Sequence, residues 1–422
     1  MLHRGNKSGI YLVGHGNFIT FATSSRAQCA RSHTLNMKRN HTIGFDAESA
    51  ARSKTGIGNY GRFVINALAT ACARNTYLRL YITKQHNNAY FDRVASLRNV
   101  EAMEPDGRLW RKLSWLWRVA GVSRDAKSGS VELYHGLDNT LPYGLAYYNI
   151  RSIITVHDLR FLRFGSKNPI SAYLEKHRMH SSCRRADRII AVSEGTKRDL
   201  VELMNIDPDK IDVIYTGCDP CYTTPIDAER VAAVKEQYKL PERYILNVGT
   251  QSKRRNIELI LDAMTKLPEP IDLVAVGAPT SHTRRLAALA RKLGIDDRVH
   301  FIVCNSNEDL AAIYRGAELL VNPTHYSTFG MPLVEALNVG IPVIGAIGSS
   351  HEEAGGPDGI YVSPDNSAEL ADKIDALLNN EELRRQVVER GKSHVSRFRA
   401  EVTAYNTLNC YKRIGIDLDE YL

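Results

Sequence analysis

An alternation that occurs twice is what most constrains this chain. From residue 41 onward, short apolar runs of strand length alternate with stretches of helical periodicity, the pattern of parallel sheets covered by helices. In the first half, strands are expected at 42–46, 78–83, 133–135, 153–157, 188–192 and 211–214, with helices at 60–73, 172–186 and 196–204. The stretch 219–242, carrying Pro220, Pro225 and Pro241, breaks the rhythm and reads as a connection. A second alternation then begins. Its strands fall at 244–248, 273–276, 299–303, 319–322, 343–346 and 360–362, and its helices at 257–267, 283–293, 307–315, 332–338, 368–379 and 382–393. The expectation is an α/β chain of two doubly wound domains, 41–222 and 240–401, facing each other across a cleft. In such sheets ligands sit at the carboxyl ends of the strands, so the cleft is the place to look.

Composition narrows the alternatives. With 43% hydrophobic and 24% charged residues in 422, wholesale disorder is excluded. No apolar run approaches the roughly 20 residues that span a bilayer. The seven cysteines (29, 72, 183, 218, 221, 304 and 410) are odd in number and scattered, which suits reduced thiols in the cytoplasm. The formal charge of +8 is misleading, because Arg4, Lys7, Arg26, Arg31, Lys38 and Arg39 precede any acid. From residue 40 onward the chain carries 49 cations against 47 anions, too small an excess for a nucleic-acid stripe. Residues 1–40 read as a disordered or non-native extension, with Met37 an alternative start, or as an organelle-targeting leader. Their apolar stretch 10–13 is too short for a signal-peptide core.

Gly56, Gly58 and Gly61 spell GxGxxG, yet the dinucleotide reading fails twice. About nine residues separate the strand end at Asp46 from Gly56, and no acid follows the second strand to hold a ribose. A flexible glycine loop over the cleft, letting backbone amides approach a phosphate or sugar, is the favoured alternative. A structural turn is the other.

The richest stretch runs from Thr324 through Ser327, Thr328, Phe329, Gly330, Met331, Pro332 and Glu335 to Gly345. A strand leads into a loop and then a helix with proline in its first turn. Amides near Gly330 and Met331 would point at an anion, and Glu335, one turn in, would accept from a ribose diol. Taken alone, glycine and proline before a helix are equally an ordinary cap.

This segment resembles the donor-binding motif of retaining glycosyltransferases of family 4, close to E-G-F-G-x-P-x-x-E-A followed by G-x-P-V-I. Four further stretches are similar to that family in the same order: Thr55 to Gly58, Thr155 to Asp158, Ala186 to Glu194, and Asn247 to Thr250 followed by Lys253 to Asn256. The resemblance implies the GT-B fold, two Rossmann-like domains with the nucleotide held by the second and the acceptor by the first. It also implies a helix from about 402 that returns to the first domain. Its activity would be transfer of a sugar, with retention, from a nucleotide-diphosphate sugar to a glycan or lipid-linked glycan. GDP-mannose is the donor expectation, with a UDP-hexose or deoxysugar nucleotide as alternatives. One departure stands out: the family's first glutamate falls on Ser327 and its glycine on Thr328. A serine bonds a hydroxyl but cannot stabilise positive charge at an anomeric carbon, so a non-catalytic nucleotide-sugar-binding relative is the rival reading.

The resemblance assigns roles residue by residue. Gly249, Thr250, Arg254 and Arg255 form the phosphate-binding segment, with the arginines clamping a diphosphate. His157 and Asp158 contact donor sugar or acceptor, with His157 orienting the reactants while the leaving phosphate takes the proton. Two arginines in place of a metal's charge imply no metal and no cofactor. The Cys218-Asp-Pro-Cys221 run reads as an Asp-Pro turn, and the two Asp-x-Asp runs, 207–209 and 417–419, match a metal motif only by spelling. All three tryptophans fall within 108–118. If that stretch is helical, Trp110 and Trp117 share an arc with Leu113, Leu116 and Ala120, and the ordinary reading is a core face. A sharper reading puts the opposite arc, Arg108, Arg111, Lys112, Trp115 and Arg118, on an anionic membrane surface. The expected location is cytoplasmic, peripheral at a membrane.

Overall fold

The computed structural model describes residues 40–53, 56–165, 168–304 and 306–418, so the N-terminal extension, Cys29, Thr55 and Asp419 lie outside it. The architecture described is that of His41–Leu422.

The first sheet has seven parallel strands: β1 (His41–Asp46), β2 (Thr76–Tyr81), β3 (Val100–Met103), β4 (Leu133–Gly136), β5 (Arg151–Val156), β6 (Arg188–Ala191) and β7 (Ile211–Val213). Their order is β3-β2-β1-β4-β5-β6-β7. The second sheet has six, β8 (Tyr244–Val248), β9 (Asp272–Val276), β10 (Val299–Ile302), β11 (Leu319–Val321), β12 (Val343–Ala346) and β13 (Ile360–Val362), ordered β10-β9-β8-β11-β12-β13. The order reverses beside β1 in one sheet and beside β8 in the other. Side chains at those carboxyl ends therefore meet in crevices that no crossover covers. All five residues of β8 are buried, as a strand covered on both faces requires.

The helices that matter for the site are α1 (Gly56–Ala71), α2 (Pro169–Arg185), α3 (Glu194–Met204), α4 (Ala228–Tyr238), α5 (Met331–Val339), α6 (His351–Gly355) and α7 (Ala400–Lys412). In α1, Val64, Ile65 and Leu68 recur at helical spacing and are buried against β1. At roughly 1.5–3 kcal/mol for each large apolar side chain, that stripe anchors the helix. From far along the sequence, α7 adds Ala404, Leu408 and Tyr411 to the same core, returning to the first sheet. The Tyr411 hydroxyl pairs with His135 Nδ1 at 2.8 Å, while His135 Nε2 meets Thr155 Oγ1 at 2.9 Å. Burial drives the His135 pKa down to about 3, so this interior histidine is neutral.

Four expectations are corrected. The proline-rich connection contains α4, whose Asp227 caps it by accepting from Arg230 N. The polar strand β3 is an addition to the expected set, because Glu101 hides its alternation at a sheet edge. The glycine run is no loop: Gly56 to Gly61 are the first turns of α1. A Cβ at Gly58 would sit 2.2 Å from Ser53 O, so that glycine permits close backbone packing. The 108–118 stretch is not one helix. It breaks at Leu113 and passes through a π-turn, Trp117–Gly121.

Candidate functional site

In the second lobe the site begins where β8 ends. Gly249 has φ of 135°, and a Cβ there would lie 2.1 Å from Arg255 Nη2 and 2.3 Å from Cζ. Only glycine leaves room for that guanidinium. Behind it, Gly277 (φ 156°) packs so tightly that a Cβ would meet Gly249 O at 2.0 Å. Thr250 is exposed beyond the turn. The turn is fixed from below by Asn256, whose Nδ2 donates to Pro323 O at 3.0 Å and Pro364 O at 2.7 Å. Arg255 Nε is buried with no hydrogen-bond partner among the described residues. Burial first, then repulsion from Arg254, brings the Arg255 pKa down to about 10. The pKa of Arg254 is also lowered, by burial and by Arg160 of the first lobe, with Asp158 and Tyr326 opposing. Two adjacent cations held this way gain from any polyanion that neutralises them.

The loop after β11 supplies the rest. Gly330 is the N-cap of α5 at φ 110°, and a Cβ there would press on His351 Cδ2 at 3.0 Å and Ala354 Cβ at 3.1 Å. Pro332 occupies the first turn. Glu335, in the next turn, accepts from the Tyr314 hydroxyl at 2.7 Å. Burial raises its pKa to about 7 against that bond and the attraction of Arg255. Met331 and Glu335 line a cavity of about 1060 Å³ whose opposite wall is α1, with Gly56, Asn59 and Tyr60. Ser327 is 8% exposed and Thr328 half-buried. The Phe329 ring does not face the cleft. It stacks on Tyr215 at 5.3 Å and meets Phe398 edge-on at 5.1 Å, which makes it packing between the lobes.

In the first lobe His157 follows β5. Its backbone N–H donates to Asn139 Oδ1 at 2.8 Å, and its Nε2 lies 2.8 Å from Leu137 O. A carbonyl can only accept, so Nε2 carries the ring proton and Nδ1 is left as an acceptor. The Tyr60 ring stands edge-on at 4.6 Å. Burial lowers the His157 pKa, keeping it neutral. Asp158 accepts from Arg160 N at 3.0 Å.

Thus Gly249, Arg254, Arg255, Gly330, Met331 and Glu335 gather on one lobe and His157 with Asp158 on the other. Gly56 lines the cavity, whereas Gly58 and Phe329 serve packing. The sequence reading missed several neighbours. Arg118, expected on a membrane face, turns inward: its Nε lies 3.0 and 2.9 Å from the two Asp46 oxygens, and Nη2 3.3 Å from Asp138. Asp46 ends β1, and that placement was the one available signal. Glu353 of α6 reaches the first lobe, accepting from Glu194 N at 2.7 Å and Gly195 N at 3.0 Å, the open amides of α3. Cys218 and Cys221 flank the Asp-Pro turn with free thiols, Asp219 accepting from Cys221 N at 3.1 Å. Among the described residues no group of three or more His, Cys, Asp and Glu could hold a metal ion, and no helix is long and apolar enough to cross a membrane.

Comparison with known proteins agrees along most of the chain. Residues 63–221 match the family model described as Glycosyltransferase Family 4, and residues 231–394 that of Glycosyl transferases group 1. The O-antigen chain mannosyltransferase B of Escherichia coli is 26% identical over 388 residues, 87% of this chain and 98% of its own. A D-inositol 3-phosphate glycosyltransferase from Mycobacterium sp. (strain KMS) is 36% identical over 201 residues, 46% of this chain and 45% of its own. Among solved structures, Anabaena HepE in complex with UDP and glucose superposes with a TM-score of 0.70 at 16% identity, covering 88% of this chain and 100% of that one. The fold is GT-B.

Proposed function

The chain belongs to the group 1, family 4 glycosyltransferases, and we propose that it moves a hexose, with retention, from a nucleotide-diphosphate sugar to a glycan or lipid-linked glycan in polysaccharide or glycoconjugate biosynthesis. One observation carries the reading: two depressed arginines, Arg255 with an unpaired Nε, stand at the end of β8 in the lobe where α5 presents its amides and Glu335. Departure of a nucleoside diphosphate builds charge on its phosphates, and preorganised cations and amides stabilise that charge most where water is excluded. This leaves no step that requires a metal or a cofactor. Glu335 accepts from the ribose diol.

From the first lobe, neutral His157 presents an acceptor nitrogen to a substrate hydroxyl and orients it, while the departing phosphate takes the acceptor's proton. GDP-mannose is the donor we favour. It is supported by the similarity to a mannosyltransferase along 98% of that protein. A second reading, a nucleotide-sugar-binding relative without turnover, rests on Ser327, which offers no carboxylate near the sugar.

The test is thermal shift of the full chain with a panel of GDP- and UDP-sugars, followed by nucleotide release from the best binder in the presence of acceptor glycans. Arg255→Ala is expected to abolish the donor-dependent shift and Ser327→Ala to alter turnover more than binding. A donor shift that survives Arg255→Ala would remove the clamp from the site. Donor stabilisation without nucleotide release would establish the second reading in place of the first.

A further inference from the structure

We propose that the outer face of α2 and the short helix before it, Arg160–Arg163, dock on an anionic phospholipid surface. Ile170, Tyr173, Leu174 and His177 recur at the i, i+3, i+4, i+7 spacing that normally marks a core-facing stripe. Here the stripe points outward: Ile170 is 72% exposed, Tyr173 and Leu174 62% each. The helix spends its other side on the core, burying Met179, Ser182 and Cys183. Single exposed apolar residues need no explanation, but a continuous stripe does.

Charge selects the occupant. Between 160 and 185 the described residues include Arg160, Arg163, Lys176, Arg178, Arg184 and Arg185 against Glu175 alone, in a chain that from residue 40 onward is otherwise nearly balanced. Arg163 is taken by Asp199, and Arg185 by the carbonyls of Leu141 and Pro142. Lys176, Arg178 and Arg184 make no ion pair among the described residues. Aliphatic side chains flanked by free cations, with the Tyr173 ring against His177 at 4.2 Å, fit a headgroup boundary, where acyl chains take the one and phosphates the other. A nucleic acid would give Ile170 and Leu174 nothing to stack on.

The face also has a direction. Phe164, 61% exposed, lies edge-on to Tyr326 of the second lobe at 5.1 Å, so the apolar surface runs to the mouth of the cleft. Docked this way, the cleft opens toward the bilayer, and a lipid-linked acceptor enters without leaving it. That consequence rests on the proposed transferase reading, whereas the docking itself does not. The surface is distinct from the 108–118 stretch, where Trp117 is buried and Arg118 is held by Asp46 and Asp138, leaving Leu109 and Trp115 exposed.

Flotation of the full chain with phosphatidylcholine vesicles, with and without phosphatidylglycerol, at low and high salt, reads the docking directly. The basic residues 4–39 add the same background to every variant. The wild-type chain is expected on anionic vesicles, less so at high salt. Lys176→Glu with Arg178→Glu should cut partitioning at low salt by about tenfold or more. Tyr173→Ser with Leu174→Ser should cut it by about tenfold at either salt. Donor-dependent thermal shift should be unchanged in both, since neither pair touches the cleft. Equal binding to neutral and anionic vesicles, or no binding, would overturn the proposal. So would a loss produced by Arg108, Arg111 and Lys112→Ser while the α2 variants bind as wild type.

Discussion

Glu335 carries a conflict between stability and binding that one substitution exposes. Its carboxyl is buried in the second lobe, and burial raises its pKa from 4.5 to about 7 despite the Tyr314 hydroxyl and Arg255. A folded-state value above the unfolded one means that ionising the group costs folding free energy. The cost is absent below about pH 4.5, grows as pH rises toward 7, and is complete above it. A rise from 4.5 to about 7 corresponds to a cost on the order of 3 kcal/mol. Glu335→Gln keeps the shape and an oxygen for Tyr314 but cannot ionise. The variant should therefore melt higher than wild type at pH 8, by roughly 5–10 °C for a lobe of this size, and show no advantage at pH 4.5. Above about pH 7, where the wild-type carboxyl is ionised, it should bind a sugar nucleotide more weakly, having lost the anionic acceptor proposed for the ribose. Differential scanning calorimetry across that pH range, with and without nucleotide, measures both. Parallel melting profiles, with a gap that does not grow as pH rises, would refute the reasoning.

Two other substitutions probe separate links. Gly249→Ala places a methyl on the Arg255 guanidinium and strains a backbone at φ 135°, so donor affinity should fall about 100-fold or more for roughly 1–3 kcal/mol of lost stability; calorimetric titration beside a melt separates the two effects. Glu353→Gln keeps one acceptor for two amides, so about 1–2 kcal/mol of interlobe stabilisation and part of kcat should be lost, read by small-angle scattering and steady-state rates; unchanged scattering and rates would deny Glu353 a part in holding the lobes.

The strands and helices of the second lobe were readable because covered parallel strands are nearly unbroken apolar runs, as 244–248 and 343–346 are. What escaped notice was polar or discontinuous. Glu101 masks β3 at an edge, and α4 lies in a stretch bounded by prolines that invite a linker reading. The site was legible where a backbone constraint leaves a residue-type signature: Gly249 and Gly330 are glycines because a guanidinium and an imidazole occupy the space a Cβ would need. It was illegible where the arrangement arises from long-range pairing. Nothing near Arg118 in sequence points to Asp46, 72 positions earlier, and helical arithmetic assigned it to the wrong face because the helix it assumed breaks at Leu113 and gives way to a π-turn. Phe329 sits inside the motif yet packs against Tyr215 and Phe398, since a motif fixes a loop's path as well as its contacts.

That packing explains how two separately folded sheets can act as one site. Gly330, at the tip of α5, rests on His351 and Ala354 of α6. Two residues beyond His351, Glu353 caps the amides that open α3, and Thr196 in that helix reaches the carbonyl of His157 at 3.4 Å. The amides that open α5 and the imidazole of His157 are thus joined through one short helix and one carboxylate. Because close-packed interiors transmit displacement instead of absorbing it, a ligand that draws the Gly330 tip toward itself is expected to move α6, and with it the Thr196 contact on the His157 carbonyl. On the proposed transferase reading, closing of the lobes and alignment of the reactants become one event, tied together by a carboxylate at 353 that accepts from both amides.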